Sequence, residues 1–163
     1  MSIWSTLRDE IFKTWPGKLF IGTCLWRIDR ALLFRGRRSM SAVVGHVPVK
    51  LIGVLGRATR QRRFIPLVNV PGEGGTSYSV NSYGGMGVPP QWFKNLEHNP
   101  DDVEVRDTEG RVRCRTRFLR DDQDREYIDA WQKLIRAYPP LEDYARQALK
   151  SNRKLIIVCF EPC

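Results

Sequence analysis

Four arginines crowd one short stretch of this chain. Residues 56–67 read GRATRQRRFIPL, with Arg57, Arg60, Arg62 and Arg63 set between two apolar runs. A turn between strands exposes backbone N–H groups, and guanidinium forks bind phosphate through paired hydrogen bonds. The chemistry on offer is anion binding. A basic turn that only faces water has the same composition, so this stretch alone does not separate the two. A second stretch, NSYGGMG at residues 81–87, sets Gly84 and Gly85 beside the hydroxyl of Ser82. Paired glycines let backbone amides approach a ligand closely. A plain loop entering a helix at Pro90 reads the same way, since proline suits a first helical turn.

Other chemistries find little support. There is no Ser-His-Asp constellation and no HExxH, Walker or GxGxxG pattern. The histidines, His46 and His98, sit in no context that suggests a base, and His98 reads as the close of a helix. The cysteines Cys24, Cys114, Cys159 and Cys163 are scattered, without the close ligand pairs of a zinc site. No metal is expected, and reduced thiols point to a cytoplasmic protein.

These residues need elements to hold them. Residues 1–40 read as amphipathic helix with a break near Trp15-Pro16-Gly17, an apolar stripe on one side and Arg and Lys on the other. Such a helix suits a membrane surface or its own domain. From residue 47 short apolar runs take over: VPVKLIGVLG, RRFIPLVNV, TSYSVNS, a hairpin from DVEVRD through TEG to RVRCRTRFLR, and a last run KLIIVCFEP. In the second hairpin strand Val112, Cys114, Thr116 and Phe118 should face one way and Arg111, Arg113, Arg115 and Arg117 the other. That arginine row is a candidate phosphate stripe, but it lacks the interleaved aromatics of single-strand binders, and no nucleic acid is expected. Helices are expected over residues 90–97, 121–137 and 141–150. Short antiparallel strands without a βαβ repeat argue for an α+β domain on a small antiparallel barrel. The division is an N-terminal helical extension at 1–40 and a barrel domain at 41–163.

The bulk numbers agree. A chain of 163 residues, 42% hydrophobic and 28% charged, can bury a core of its own. No apolar run reaches transmembrane length and the start shows no secretory signal. A net charge of +9 draws anionic ligands.

Three motifs resemble the deazaflavin-dependent nitroreductase family, whose members use coenzyme F-420. The first is Gly56, Arg57, Thr59, Arg63, Pro66 and Leu67; the second is Ser82, Gly84 and Gly85 followed by PQWFKNLEHNP; the third is AYPPLEDY with the closing IIVCFEP. The resemblance implies a split antiparallel β-barrel with flanking helices. It implies that Arg57, Thr59, Arg60, Arg63, Pro66, Ser82, Tyr83, Gly84, Gly85 and Trp92 hold the deazaflavin, its phosphate and its tail. It further implies hydride transfer to an apolar enone, quinone or nitro compound, with Tyr138 and Tyr144 as proton-handling groups and Leu141 on the substrate wall. Peripheral membrane contact through the N-terminal helix and a homodimer are compatible with it. The sequence departs from the family at Ala58 for a lysine, Arg60 for a glycine, Tyr83 for a basic residue and Leu141 for a tyrosine. Those departures keep open a split-barrel relative that has lost the reductase reaction. Arg60 and Arg62 are the candidates to replace the missing cations.

Overall fold

The computed structural model describes residues 26–163; the helix expected before residue 26 lies outside them. In chain order the elements are α1 (Trp26–Phe34), α2 (Met40–Gly45), β1 (Val49–Leu55), β2 (Arg62–Val68), β3 (Val70–Pro71) and β4 (Ser77–Val80). There follow a single 3-10 turn (Tyr83–Gly85), α3 (Gln91–His98), β5 (Val103–Arg106), β6 (Arg111–Leu119), α4 (Arg125–Ala137), α5 (Leu141–Lys150) and β7 (Ile157–Pro162). All strand pairs are antiparallel, in the order β2-β1-β5-β6-β7-β4-β3. The sheet curls until β2 also meets β4. This is the split barrel that the motifs imply.

Two apolar clusters hold the sheet, and β7 belongs to both. Ile157 and Cys159 join Leu134, Leu141 and Ala148 of α4 and α5. Val158 and Phe160 join Ile52, Val54, Phe93 and Leu96, under α3. A strand buried on both faces needs an unbroken apolar run, which is why IIVCF shows no alternation. β6 does alternate. Cys114 is buried, Thr116 and Phe118 are half-buried, and Arg111, Arg113, Arg115 and Arg117 are exposed. Val112 departs from the expected pattern: near the hairpin turn no described element covers it and it is 48% exposed. The arginine row is partly consumed by ion pairs, since Arg115 and Arg117 both bind Glu161 at 2.9 Å and Arg117 also binds Glu126 of α4.

Helix starts follow their caps. The helix expected from residue 121 begins at Arg125. Asp121 forms a turn with the Gln123 N–H instead, and Asp124 becomes the cap, accepting from the Glu126 N–H at 2.7 Å. α3 starts after Pro90 and runs one residue beyond expectation to His98, with Asn99 as its C-cap. α5 has the expected bounds. α2, which the sequence pattern does not show, is capped by the Ser39 hydroxyl, which accepts from the Ala42 N–H at 3.0 Å. Asp29 of α1, 3% exposed, accepts from the N–H and hydroxyl of Ser41 and ties the two helices together. α1 lies on β1 and β2. Leu33 is buried there, and the Phe34 ring meets Phe64 edge-on with centroids 5.1 Å apart. The Arg106 guanidinium caps both rings.

Candidate functional site

The connections that follow β1 and β4 converge on one cleft of about 1170 Å³. Its first wall is the turn from Gly56 to Gln61. The Gly56 N–H donates to the Gln61 carbonyl at 2.9 Å, and the Arg60 N–H to Gly56 at 2.8 Å. A Cβ on Gly56 would stand 2.7 Å from the Thr59 hydroxyl, so a side chain there would force Thr59 to shift. Arg60 sits at φ 55, the left-handed region in which the family pattern has glycine. The turn is tied to α3 by Asn95, which is 6% exposed and accepts from the Arg57 N–H at 3.4 Å.

The four arginines of this turn part company. Arg57, Arg62 and Arg63 line the cleft. Arg62, however, is paired with Asp102 and donates to the Gly53 and Asp102 carbonyls. Arg60 is not among the lining residues and donates to Asn99 Oδ1 at 3.0 Å. The two arginines expected to stand in for missing cations are therefore engaged with the protein. Arg57 and Arg63 have exposed side chains without a hydrogen-bonding or ion-pair partner among the described residues. Arg30 of α1 also lines the cleft, a cation that helical periodicity alone could not aim.

The second wall is the glycine loop, where Ser82, Tyr83 and Gly84 line the cleft. Gly85 turns away. A Cβ on it would meet the Tyr144 carbonyl at 2.8 Å, so this glycine serves contact between the loop and α5 rather than contact with a ligand. Ile65, Leu67, Val68 and Val80 give the cleft its apolar floor, and Pro66 and Thr59 also line it. Trp92 is half-buried, lines the cleft and stacks edge-on against Phe93 at 5.9 Å. It is a core anchor and a wall together.

The far end is built where α4 hands over to α5. Tyr138 and Leu141 line the cleft there. Leu141 is only 1% exposed and belongs to the core cluster, so it closes the floor rather than projecting from it. The hydroxyls of Tyr138 and Tyr144 are 3.2 Å apart. Tyr144 is not a lining residue; it stands behind Tyr138. Burial, then the neighbouring Tyr144, pushes the Tyr138 phenol well above its ordinary range, so it stays protonated. The cleft therefore combines cations, apolar surface and the Tyr138 hydroxyl, with Tyr144 behind it.

Known proteins place this geometry. A family model described as F420H(2)-dependent quinone reductase matches residues 28–162. A solved structure of an F420-H2 dependent reductase, FDR-A, is 28% identical with a TM-score of 0.60, over 70% of this chain and 94% of that one. Another, described as a domain-swapped dimer, is also 28% identical, with a TM-score of 0.61, over 70% of this chain and 80% of that one. HutZ, the heme storage protein from Vibrio cholerae, shares the fold alone, at 10% identity and a TM-score of 0.51 over 73% of this chain and 84% of that one.

Proposed function

This chain belongs to the F420H(2)-dependent quinone reductase family, and on that premise we propose that the cleft holds the deazaflavin beside an apolar quinone. It is an oxidoreductase of the deazaflavin-dependent class. The alternative of a member without reductase chemistry is not favoured by a match that spans all the walls of the cleft. The observation that carries the proposal is the union of three separate motifs in one cleft, whose lining brings arginines and the Tyr138 hydroxyl together. The residues fit the group. Arg57 and Arg63 offer guanidinium donors to a phosphate, the floor offers apolar surface to a flat ring, and the volume exceeds that of one drug-sized ligand.

When bound, the reduced deazaflavin supplies a hydride. The chain's own residues do the rest. Arg57 and Arg63 fix the anionic end. Ile65, Leu67, Val80 and Trp92 exclude water from the middle. Tyr138 donates a hydrogen bond to the acceptor oxygen as negative charge grows on it, and Tyr144 holds the orientation of that hydroxyl. A quinone suits this wall better than a nitro compound, because its middle is apolar and Leu141 stands where the family has a phenol.

The test is titration with oxidised F-420, followed by its fluorescence. Arg63→Ala should weaken binding by about 1–3 kcal/mol, the scale of a lost charged hydrogen bond. A wild-type protein showing no saturable change at low salt would remove the proposal. For the acceptor, Tyr144→Phe should lower turnover of an apolar quinone while leaving F-420 affinity within about twofold. An unchanged rate would place the tyrosine pair outside the reacting site.

A further inference from the structure

Arg153 follows α5 and lies outside the cleft lining, yet its guanidinium reaches the glycine loop from behind. It donates to three backbone carbonyls: Asn81, Ser82 at 3.4 Å and Met86 at 2.5 Å. Between those anchor points the backbone passes through three consecutive left-handed residues, Tyr83 at φ 46, Gly84 at φ 64 and Gly85 at φ 80. A tyrosine pays steric strain there, so the conformation persists only where the surroundings enforce it. One side chain gripping the loop on both sides of the strained segment does this.

The grip has a geometric consequence. A trans peptide is planar, so its N–H points opposite to its C=O. The Asn81 and Ser82 carbonyls turn toward Arg153; the N–H groups of Ser82 and Tyr83 therefore turn away from it. Ser82 and Tyr83 line the cleft. Neither N–H has an acceptor among the described residues, whereas those of Gly85 and Met86 are used within the turn, on the Ser82 and Tyr83 carbonyls. Two adjacent free amides make a concavity that suits an anion. Arg153 makes no ion pair among the described residues, so its positive charge stands behind the same amides.

We propose that Arg153 is a positioning residue, holding the loop so that the Ser82 and Tyr83 amides point into the cleft at an anionic group of its ligand. Naming that ligand as F-420 rests on the function proposed above; the aim of the amides does not. Arg153→Gln and Arg153→Lys are compared with wild type for thermal stability, for affinity toward F-420, and for affinity toward the deazaflavin chromophore stripped of phosphate and tail. In parallel, inorganic phosphate is titrated while the Ser82 and Tyr83 amides are followed by nuclear magnetic resonance. The expected result is an F-420 affinity about tenfold lower in Arg153→Gln, partly restored in Arg153→Lys or by millimolar guanidinium, with chromophore affinity unchanged. Equal loss of both ligands in step with stability would make Arg153 a merely structural residue and overturn the proposal. So would an unchanged F-420 affinity in Arg153→Gln. If wild type ignores F-420 but phosphate still shifts the two amides, and does so only with Arg153 present, the cofactor reading falls and the positioning role stands. Amides that respond to no anion in wild type would sink the positioning role itself.

Discussion

At the scale of single residues, the cleft divides its side chains into those that touch a ligand and those that aim them. Tyr138 illustrates the first. Burial raises its pKa, so its proton is present across the neutral range and beyond the ordinary phenol value. We expect quinone turnover to show no loss assignable to Tyr138 between pH 7 and about 10, where an unperturbed phenol would already be titrating; a pH–rate profile of wild type against Tyr138→Phe checks this. Leu141 illustrates the second. At 1% exposure it has no room for a larger ring, so Leu141→Tyr should lower stability by roughly 1–3 kcal/mol, read by urea denaturation. The sequence exposed the residue types of the site, because arginine, glycine and tyrosine stand out at motif spacing. It could not show direction. Arg60 and Arg62 look equivalent to Arg57 and Arg63 in sequence, yet Asn99 and Asp102, some forty positions on, claim them. Arg153 carried no local signal, since its partners are carbonyls that every residue possesses.

At the scale of elements, strands and helices were legible where one face is buried and less so where a cap decides the boundary. β6 and α5 show their periodicity; the start of α4 depended on which of three nearby aspartates took the cap. α4 is then locked to the sheet by Arg117, which binds Glu126 and Glu161, while Tyr78 donates to Glu126 at 3.1 Å. Hydrogen bonds from Arg117 hold both carboxyl groups below their ordinary range. A carboxylate with a depressed folded-state pKa contributes stability above its unfolded value, near 4.3, and loses it as pH falls through the folded value. Glu126→Gln should therefore cost on the order of 1 kcal/mol at neutral pH, and the gap to wild type should close at acid pH, once the folded-state carboxyl is protonated. Parallel denaturant curves at the two pH values decide it; a gap independent of pH would mean the side chain acts through packing.

At the scale of the whole molecule, the division into an extension at 1–40 and a barrel at 41–163 is a proposal that α1 makes testable. Leu33 is buried on the barrel, and Phe34 packs on Phe64. Removing residues 1–25 should leave cooperative unfolding intact. Removing 1–40 also strips Leu33 and should cost about 2–5 kcal/mol, the scale of a large truncation in a core; equal stability of the two shortened proteins would set the boundary at 40 as proposed. Among the described residues no helix is long and apolar enough to cross a membrane. The sheet order carries one more consequence, for the order of events during synthesis. β7, which follows every other described element, sits between β6 and β4 and joins the half carrying the arginine turn to the half carrying the glycine loop. A nascent chain that has not yet released residues 157–162 from the ribosome holds every lining residue of the cleft but lacks the strand that hydrogen-bonds β6 to β4. Cofactor capture should thus wait for β7, and chains stalled before Ile157 should remain protease-sensitive whether or not F-420 is supplied.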